Sequence, residues 1–307
     1  VRSATTADLP EVVSLFDALD AVYGLAPATD IELLRGLFQV PGFDSERNTW
    51  LIATDGGELA GYGDVEERPE EGSVAAFGRV HPDHRGKGLG RGLLSLMESR
   101  ASAIAAGRPL TIRTSTIAQD ERALALLGAR GYRHVRDFLH MERSLDDLGT
   151  TELPPGVAIR SFQEGDGPLF HSIESRAFHG QWGVSARPFQ EWEERHLSGE
   201  RFQPEACFLA EHQGRPAGML IGRGWTVEAW VDSLGVLEKF RGHGIGGALL
   251  EQAFRVFQET GYRQVALNVD SANPTGAKRF YEGHGMHVRR HWVVLNKPLP
   301  DSMPPYG

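Results

Sequence analysis

Self-similarity constrains this chain more than any single motif does. Val80, Arg85, Gly86, Gly88, Gly90, Leu93 and Leu94 recur as Val236, Arg241, Gly242, Gly244, Gly246, Leu249 and Leu250, each 156 positions further on. Upstream, Arg2, Ser3 and Asp8 match Arg160, Ser161 and Asp166 at an offset of 158, and Leu51, Ala60 and Gly61 match Leu209, Ala217 and Gly218. Downstream, Gly131 matches Gly285 at 154. Chance likeness does not keep register with so little drift, so the chain reads as two copies of one domain. Two copies are too few for a solenoid. The polar, Pro/Gly-rich connector from Asp146 to Gly156 is the expected boundary, giving domains 1–148 and 156–307.

Composition removes several function classes. A length of 307 residues, 40% apolar and 24% charged, suits a soluble globular pair of domains. No apolar run approaches the roughly 20 residues of a membrane span. A formal charge of −9 is the wrong sign for nucleic acid or an anionic membrane surface. The one cysteine, Cys207, leaves no intramolecular disulfide and fits a reducing, cytoplasmic setting.

Within each copy the periodicity predicts the same order of elements. A short strand, Val157 to Ser161 in the second copy, leads into a helical region. Hairpin turns follow at Asp55–Gly57 and His212–Gly214. A β-rich run from Thr226 to Val236 enters a glycine loop, and then comes a helix with apolar residues every four positions. These are Leu89, Leu93, Met97 and Ala101 in the first copy and Ile245, Leu249, Ala253 and Phe257 in the second. A buried strand at Val265–Val269, a helix from about Pro274 and a strand from His291 to Leu295 close the unit. The fold class is therefore α/β in an α+β layering, with a mixed, mostly antiparallel sheet flanked by helices in each copy.

A strand, then Arg-Gly-x-Gly-x-Gly, then a helix is a place for an anion. Glycines allow the tight turn and present consecutive N–H groups, and the helix start adds its positive dipole end. A nicotinamide dinucleotide would require Gly-x-Gly-x-x-Gly near the start of a βαβ unit, and a nucleotide P-loop would require Gly-Lys-Ser/Thr; neither copy has either. A plainer reading is a helix start that needs small residues for packing.

Arg85–Gly90 and Arg241–Gly246 resemble the Arg/Gln-x-x-Gly-x-Gly/Ala signature of the GNAT superfamily of N-acetyltransferases. In the second copy Asn273, Ala277, Tyr281, Glu282 and Gly285 are similar to that family's later Asn…Ala…Tyr-Glu…Gly segment. The tandem layout and length are also similar to those of the mycothiol synthases, GNAT pairs that acetylate the amine of a cysteinyl sugar. The resemblance covers nearly the whole chain twice, and it implies two tandem GNAT-like domains. It further implies acetyl-CoA as co-substrate and direct attack of an amine on the thioester. Leu234, Gly235 and Val236 would pair with the pantetheine arm. Arg241, Gly242, His243, Gly244, Ile245, Gly246 and Gly247 would hold the diphosphate, with Asn273 nearby. In the first copy Val80, Arg85, Gly86, Lys87, Gly88 and Gly90 correspond. Tyr281 stands where the family places the acid for the CoA thiolate, and a phenol with a pKa of about 10 suits that task.

Leu127 occupies the register of Tyr281 in the first copy, and Gln119 that of Asn273. The first copy is thus expected to be a non-catalytic domain, with or without bound CoA. Asp232 lies four residues before Val236, on the same strand face, and is a candidate base; Glu228 is a second. Either is equally readable as a solvated strand charge. Aromatics around Phe178, His179, Trp182 and Gly183 suggest an acceptor pocket for a small molecule with an apolar or cationic part, or ordinary inter-helix core. His284, His287 and His291 lack metal-ligand spacing, and no metal is expected. The expected function is acetyl transfer to a primary amine of a small molecule by a monomer or homodimer. The rivals are a non-catalytic acyl-CoA-binding pair that senses or scaffolds, and a protein N-terminal acetyltransferase.

Overall fold

The computed structural model describes residues 1–299 apart from positions 26, 28, 30, 41, 150, 151, 183–186, 199–201 and 225–227. Gly183, Thr226 and Val227 therefore lie outside the described residues, as does the tail from 300. The first copy runs α1 (Leu9–Val22), α2 (Ile31–Phe38), α3 (Ser45–Asn48), β1 (Thr49–Ala53), β2 (Leu59–Arg68), β3 (Ser73–Val80), α4 (Leu89–Ala105), β4 (Thr111–Ile117), α5 (Glu121–Ala129) and β5 (Arg133–Ser144). The second runs β6 (Val157–Ser161), α6 (Gly167–Ala177), α7 (Phe189–His196), β7 (Phe208–His212), β8 (Arg215–Gly224), β9 (Ala229–Val236), α8 (Ile245–Glu259), β10 (Gln264–Asp270), α9 (Ala277–Gly283) and β11 (His287–Pro298).

Compact units do not follow the linker. One contains Val1–Phe138 with Arg290–Gly307, the other Leu139–Arg289. The expected cut at 148/156 places the last strand of each copy with its own copy, whereas each is exchanged. From Arg290 on, β11 pairs antiparallel with β4, Trp292 opposite Ile117 through Pro298 opposite Thr111. In the other unit β5 is the neighbour of β10. The two segments have similar burial patterns, and the choice between them rests on pairing of residues distant in sequence.

In the first unit β1, β2 and β3 form an antiparallel meander and β4 joins β3 in parallel. Leu9, Val12, Leu15, Phe16 and Leu19 of α1 are buried with Tyr62 on one side. Leu93, Leu94, Met97, Ala101 and Ala105 of α4 are buried with Val65, Val74, Ala76 and Ile112 in a separate cluster. The second unit repeats this with α6 and α8. Ile245, Leu249, Ala253 and Phe257, the four-residue series read from the sequence, are at most 1% exposed. Each large member stabilises by about 1.5–3 kcal/mol relative to exposure. Close contact demands small residues beneath: a Cβ on Gly222 would stand 2.6 Å from the Phe257 ring.

The paired Arg–Asp positions that revealed the repeat have a physical cause. Arg160 donates to both carboxylate oxygens of Asp166 at 2.6 and 2.9 Å, and Asp166 also accepts from the Gln163 amide at 2.8 Å. Arg2 and Asp8 make the same staple, with the Thr5 amide in place of Gln163. Arg160 thus ties β6 to the start of α6, and Arg2, which forms an isolated bridge with Leu51, ties the N-terminal segment to the start of α1. The hydrogen bonds from Arg160 outweigh burial and hold the Asp166 carboxyl below its ordinary value. The unfolded chain therefore takes up this proton first, so the contribution is present above about pH 4 and is lost as pH falls below it. Asp166→Asn should cost about 1 kcal/mol in urea unfolding at pH 7, discounted for partial exposure, and progressively less as pH is lowered below about 4.

Candidate active site

The site begins where two parallel strands stop pairing. Among the described residues β9 and β10 are matched at Ala229–Val265 and Trp230–Ala266 alone. β9 continues to Val236, paired on its other edge with β8. Leu234, Gly235 and Val236 thus lie in the stretch that faces the gap. In the first unit β3 and β4 pair from Ser73–Thr111 to Ala76–Thr114 and then part, leaving Val80 in the corresponding position. Such an edge offers N–H and C=O groups to an extended ligand.

Both gaps end at a glycine loop of the same conformation. Gly86 and Gly88 have φ of 78° and 82°, Gly242 and Gly244 of 80° and 75°. These are left-handed values that side chains resist. Gly88 and Gly244 are the N-caps of α4 and α8, and neither has a side-chain cap. The intrahelical bonds start at Gly92 and Ala248, so the amides of Ile245, Gly246 and Gly247, and of their counterparts, are uncommitted to the helix. Together with the helix dipole they make a cradle for a diphosphate-sized anion. The third glycine serves packing: a Cβ on Gly246 would be 3.3 Å from Phe280 of α9, and one on Gly90 3.4 Å from Leu126 of α5.

The loop arginines brace rather than project. Arg241 donates to the Val236 and Ala177 carbonyls, each at 3.2 Å, tying the loop to the end of α6. Arg85 donates to the Tyr23 hydroxyl at 2.9 Å and to Asp120 at 3.0 Å. His243 and Lys87 fold back onto their own loops, His243 towards the Phe240 and Arg241 carbonyls and Lys87 against His84 at 3.2 Å.

Tyr281 is carried on α9, whose ring neighbour Phe280 meets it edge-on at 5.1 Å. It is half-buried and has no hydrogen-bond partner among the described residues. Burial raises its pKa, so the phenol stays protonated at neutral pH. α9 begins at Ala277, not at Pro274 as expected, because Asn273 folds a turn ahead of it. The Asn273 Oδ1 accepts from the Thr275 amide at 2.9 Å and from its hydroxyl at 2.6 Å, while Nδ2 donates to Gln181 at 3.2 Å. Leu127, the counterpart of Tyr281, is 7% exposed and lines the first unit's cavity.

Asp232 is the extra residue of a β-bulge: Ile221 opposes Ser233 and Gly222 opposes Val231. Bulges re-aim side chains. Here the carboxylate reaches both His196 Nδ1 and Arg223 Nε at 3.0 Å. Desolvation pushes its pKa up, but the His196 hydrogen bond and the Arg223 charge outweigh it, and the net shift is downward. Neither His196 nor Arg223 carries a local sequence signal, since they meet Asp232 only through tertiary folding; the four-residue step from Trp192 to His196 on α7 was the one available hint. Glu228 precedes β9 and gathers with His140 and Glu142, ligand atoms within 4.8 Å of one another.

The aromatic segment divides. His179 is exposed and Trp182 half-buried, whereas Trp192 is 3% exposed and donates to Glu174, a core role. His284, His287 and His291 go to separate partners: the Phe280 carbonyl, Glu142 and Asp137. Among the described residues no helix is long and apolar enough to cross a membrane.

Two stretches of the chain, 18–132 and 168–286, match the model of the acetyltransferase (GNAT) family. The chain belongs to that family. It is an acetyltransferase of the GNAT type, a family that uses acetyl-CoA as co-substrate. Both matched stretches stop short of the exchanged strands. Relatives include the mycothiol acetyltransferases of Thermomonospora curvata, 30% identical over 96% of both chains, and of Stackebrandtia nassauensis, 32% identical over 93% of this chain and 92% of the relative. Among solved structures, a GCN5-related N-acetyltransferase from Sphaerobacter thermophilus is 31% identical, with a TM-score of 0.85 over 97% of this chain and 95% of that one. A tandem GNAT protein from the clavulanic acid biosynthesis pathway shares the fold, with a TM-score of 0.71 at 18% identity over 99% of this chain and 98% of that one.

Cys207 offers no acyl-carrier chemistry. It is fully buried, with its thiol against the Gly222 carbonyl, and burial pushes its pKa up to about 12. The thiolate is the reactive form. A disulfide reagent at pH 8 should leave the native chain unlabelled and titrate one thiol after denaturation; rapid native labelling would contradict this environment.

Proposed function

We propose that the chain transfers an acetyl group from acetyl-CoA to a primary amine of a small molecule, and that the second copy performs the transfer. The observation that carries this is Tyr281. Its half-buried, unpartnered and protonated hydroxyl belongs to the helix packed against Gly246 of the second glycine loop, and leucine replaces it in the first copy. Leu234–Val236 pair with the pantetheine, Gly242–Gly247 take the diphosphate, and Asn273 exchanges Gln181 for the ligand. The amine attacks the thioester carbonyl, the C–S bond breaks, and Tyr281 delivers its proton to the departing thiolate. The first copy keeps the cradle at Arg85–Gly90 but has no acid, and serves to bind without turnover. The names of the relatives point to the amine of a cysteinyl sugar as the first acceptor to try, with Trp182 beside it. The enzyme works in the cytoplasm as a monomer or homodimer, with no metal, nucleic-acid or membrane partner.

Asp232 acts through His196. A carboxylate held below its ordinary pKa is a poor acceptor for an ammonium proton. His196 donates Nδ1–H to it, which leaves Nε2 as the acceptor for the amine proton and Asp232 as the group that sets the tautomer. Glu228, grouped with His140 and Glu142, is assigned to cation attraction near the strand entry.

Thiol release from acetyl-CoA, measured over a panel of cysteinyl and other amino sugars, polyamines and amino acids, tests the assignment. Tyr281→Phe should lower kcat roughly 100- to 1000-fold with acetyl-CoA affinity, read by calorimetry, nearly unchanged. Undiminished turnover would remove Tyr281 from the reaction. His196→Gln should lower kcat by about 100-fold with acetyl-CoA affinity nearly unchanged; undiminished turnover would return the base role to a carboxylate.

A further inference from the structure

The first unit contains a cavity of about 650 Å³ that runs from its glycine loop into the gap between β3 and β4. Gly86, Gly88 and Gly90 line it at the loop, and Thr114, Thr116 and Arg79 line it at the strands. Arg79 is the counterpart of Gly235, so the second copy has no side chain at this place. Its guanidinium spans the parted strands, with one nitrogen 2.9 Å from the Gly78 carbonyl and 3.4 Å from that of Ser115.

What Arg79 lacks is an anion. The Phe77 ring lies 4.0 Å and the Trp292 ring 5.6 Å from the guanidinium carbon, but no carboxylate of a described residue is within ion-pair distance. The acidic and phenolic groups that face it are Asp120, Asp20, Asp64 and Tyr23. Asp120 is paired with Arg85 and Asp20 with Arg290, Tyr23 accepts from Arg85, and burial lifts the Asp64 carboxyl to about 7. Burial lowers Arg79 itself to about 10, so it remains a cation at neutral pH. A partly desolvated guanidinium with bonds to two carbonyls from a single nitrogen is an incomplete site for a carboxylate, which it would grip in bidentate fashion.

We propose that the first copy binds a short dicarboxylic monoacyl-CoA, a thioester whose acyl chain ends in a free carboxylate, with that carboxylate on Arg79. This rests on the reading that the first glycine loop holds a CoA diphosphate. The two anionic ends of such a ligand match the two cationic or donor-rich ends of the cavity. The hydroxyls of Thr114 and Thr116 supply further donors beside the strands, and Leu127 in place of tyrosine leaves the bound thioester unreacted. The first copy is thereby a ligand-sensing domain with a specificity different from that of the second.

Calorimetry on the full chain with acetyl-CoA and succinyl-CoA tests this. Wild type should show two binding events, one of them at least roughly tenfold tighter for succinyl-CoA, as a charge-assisted pair predicts. Arg79→Gln should remove that preference from the one event, and Arg79→Lys should retain part of it. Circular dichroism and melting temperature establish that each variant is folded, and the wild-type comparison stands without them. Two events with no preference for succinyl-CoA at either would overturn the carboxylate assignment alone. A single event for every thioester, unmoved by Arg79→Gln, would overturn the first-copy cradle as well.

Discussion

The parting of two parallel strands governs the rest of each unit. A parallel pair inside a sheet is ordinarily bonded along its length, because its backbone groups have no water to turn to. β9 and β10 meet at two residue pairs and then diverge. The gap is kept open by groups that brace its rim. Arg241 fastens the loop to the end of α6, and Gly246 lets α9 close against α8. Left-handed glycines turn the strand into the helix without a side-chain cap, so the helix amides point at the same opening as the freed strand edge. One geometric fault in the sheet thus sets both an extended groove and an anion cradle at its end.

Much of this was legible because it is local. Glycine spacing, four-residue apolar periodicity and the Arg–Asp staples each have a short-range cause, and each appears where the periodicity put it. The exchange of β5 and β11 has no local cause, since strands of similar pattern fit either place, and the compact units therefore part elsewhere than at the linker between the two copies. Asp232 was identifiable as a strand carboxylate, but the face assigned to it by alternation from Val236 does not carry through the bulge. That it is the bulged residue, already engaged by His196 and Arg223, depends on contacts 36 and 9 positions away. Arg79 is unremarkable in the sequence, and it stands out only when its surroundings are seen to contain rings and carbonyls but no free carboxylate.

The two copies provide an internal control on what folding alone requires. Several positions that shape the backbone are matched: the staples, the left-handed glycines of the loop, the packing glycine under the last helix and the bracing arginine. Among the positions compared, Arg79 and Leu127 line the first unit's cavity, where the second copy has Gly235 and Tyr281. A domain retained only as a scaffold would be expected to fill its cavity with apolar side chains, since burying an arginine without its anion is costly. The first copy instead keeps about 650 Å³ of open space with a charge at its inner end. The cost of that charge is understandable if a ligand neutralises it, and a ligand that is held but never consumed is suited to reporting on supply. Under the proposed function, duplication would separate two properties that a single GNAT-type domain must combine, recognition of an acyl-CoA and its turnover.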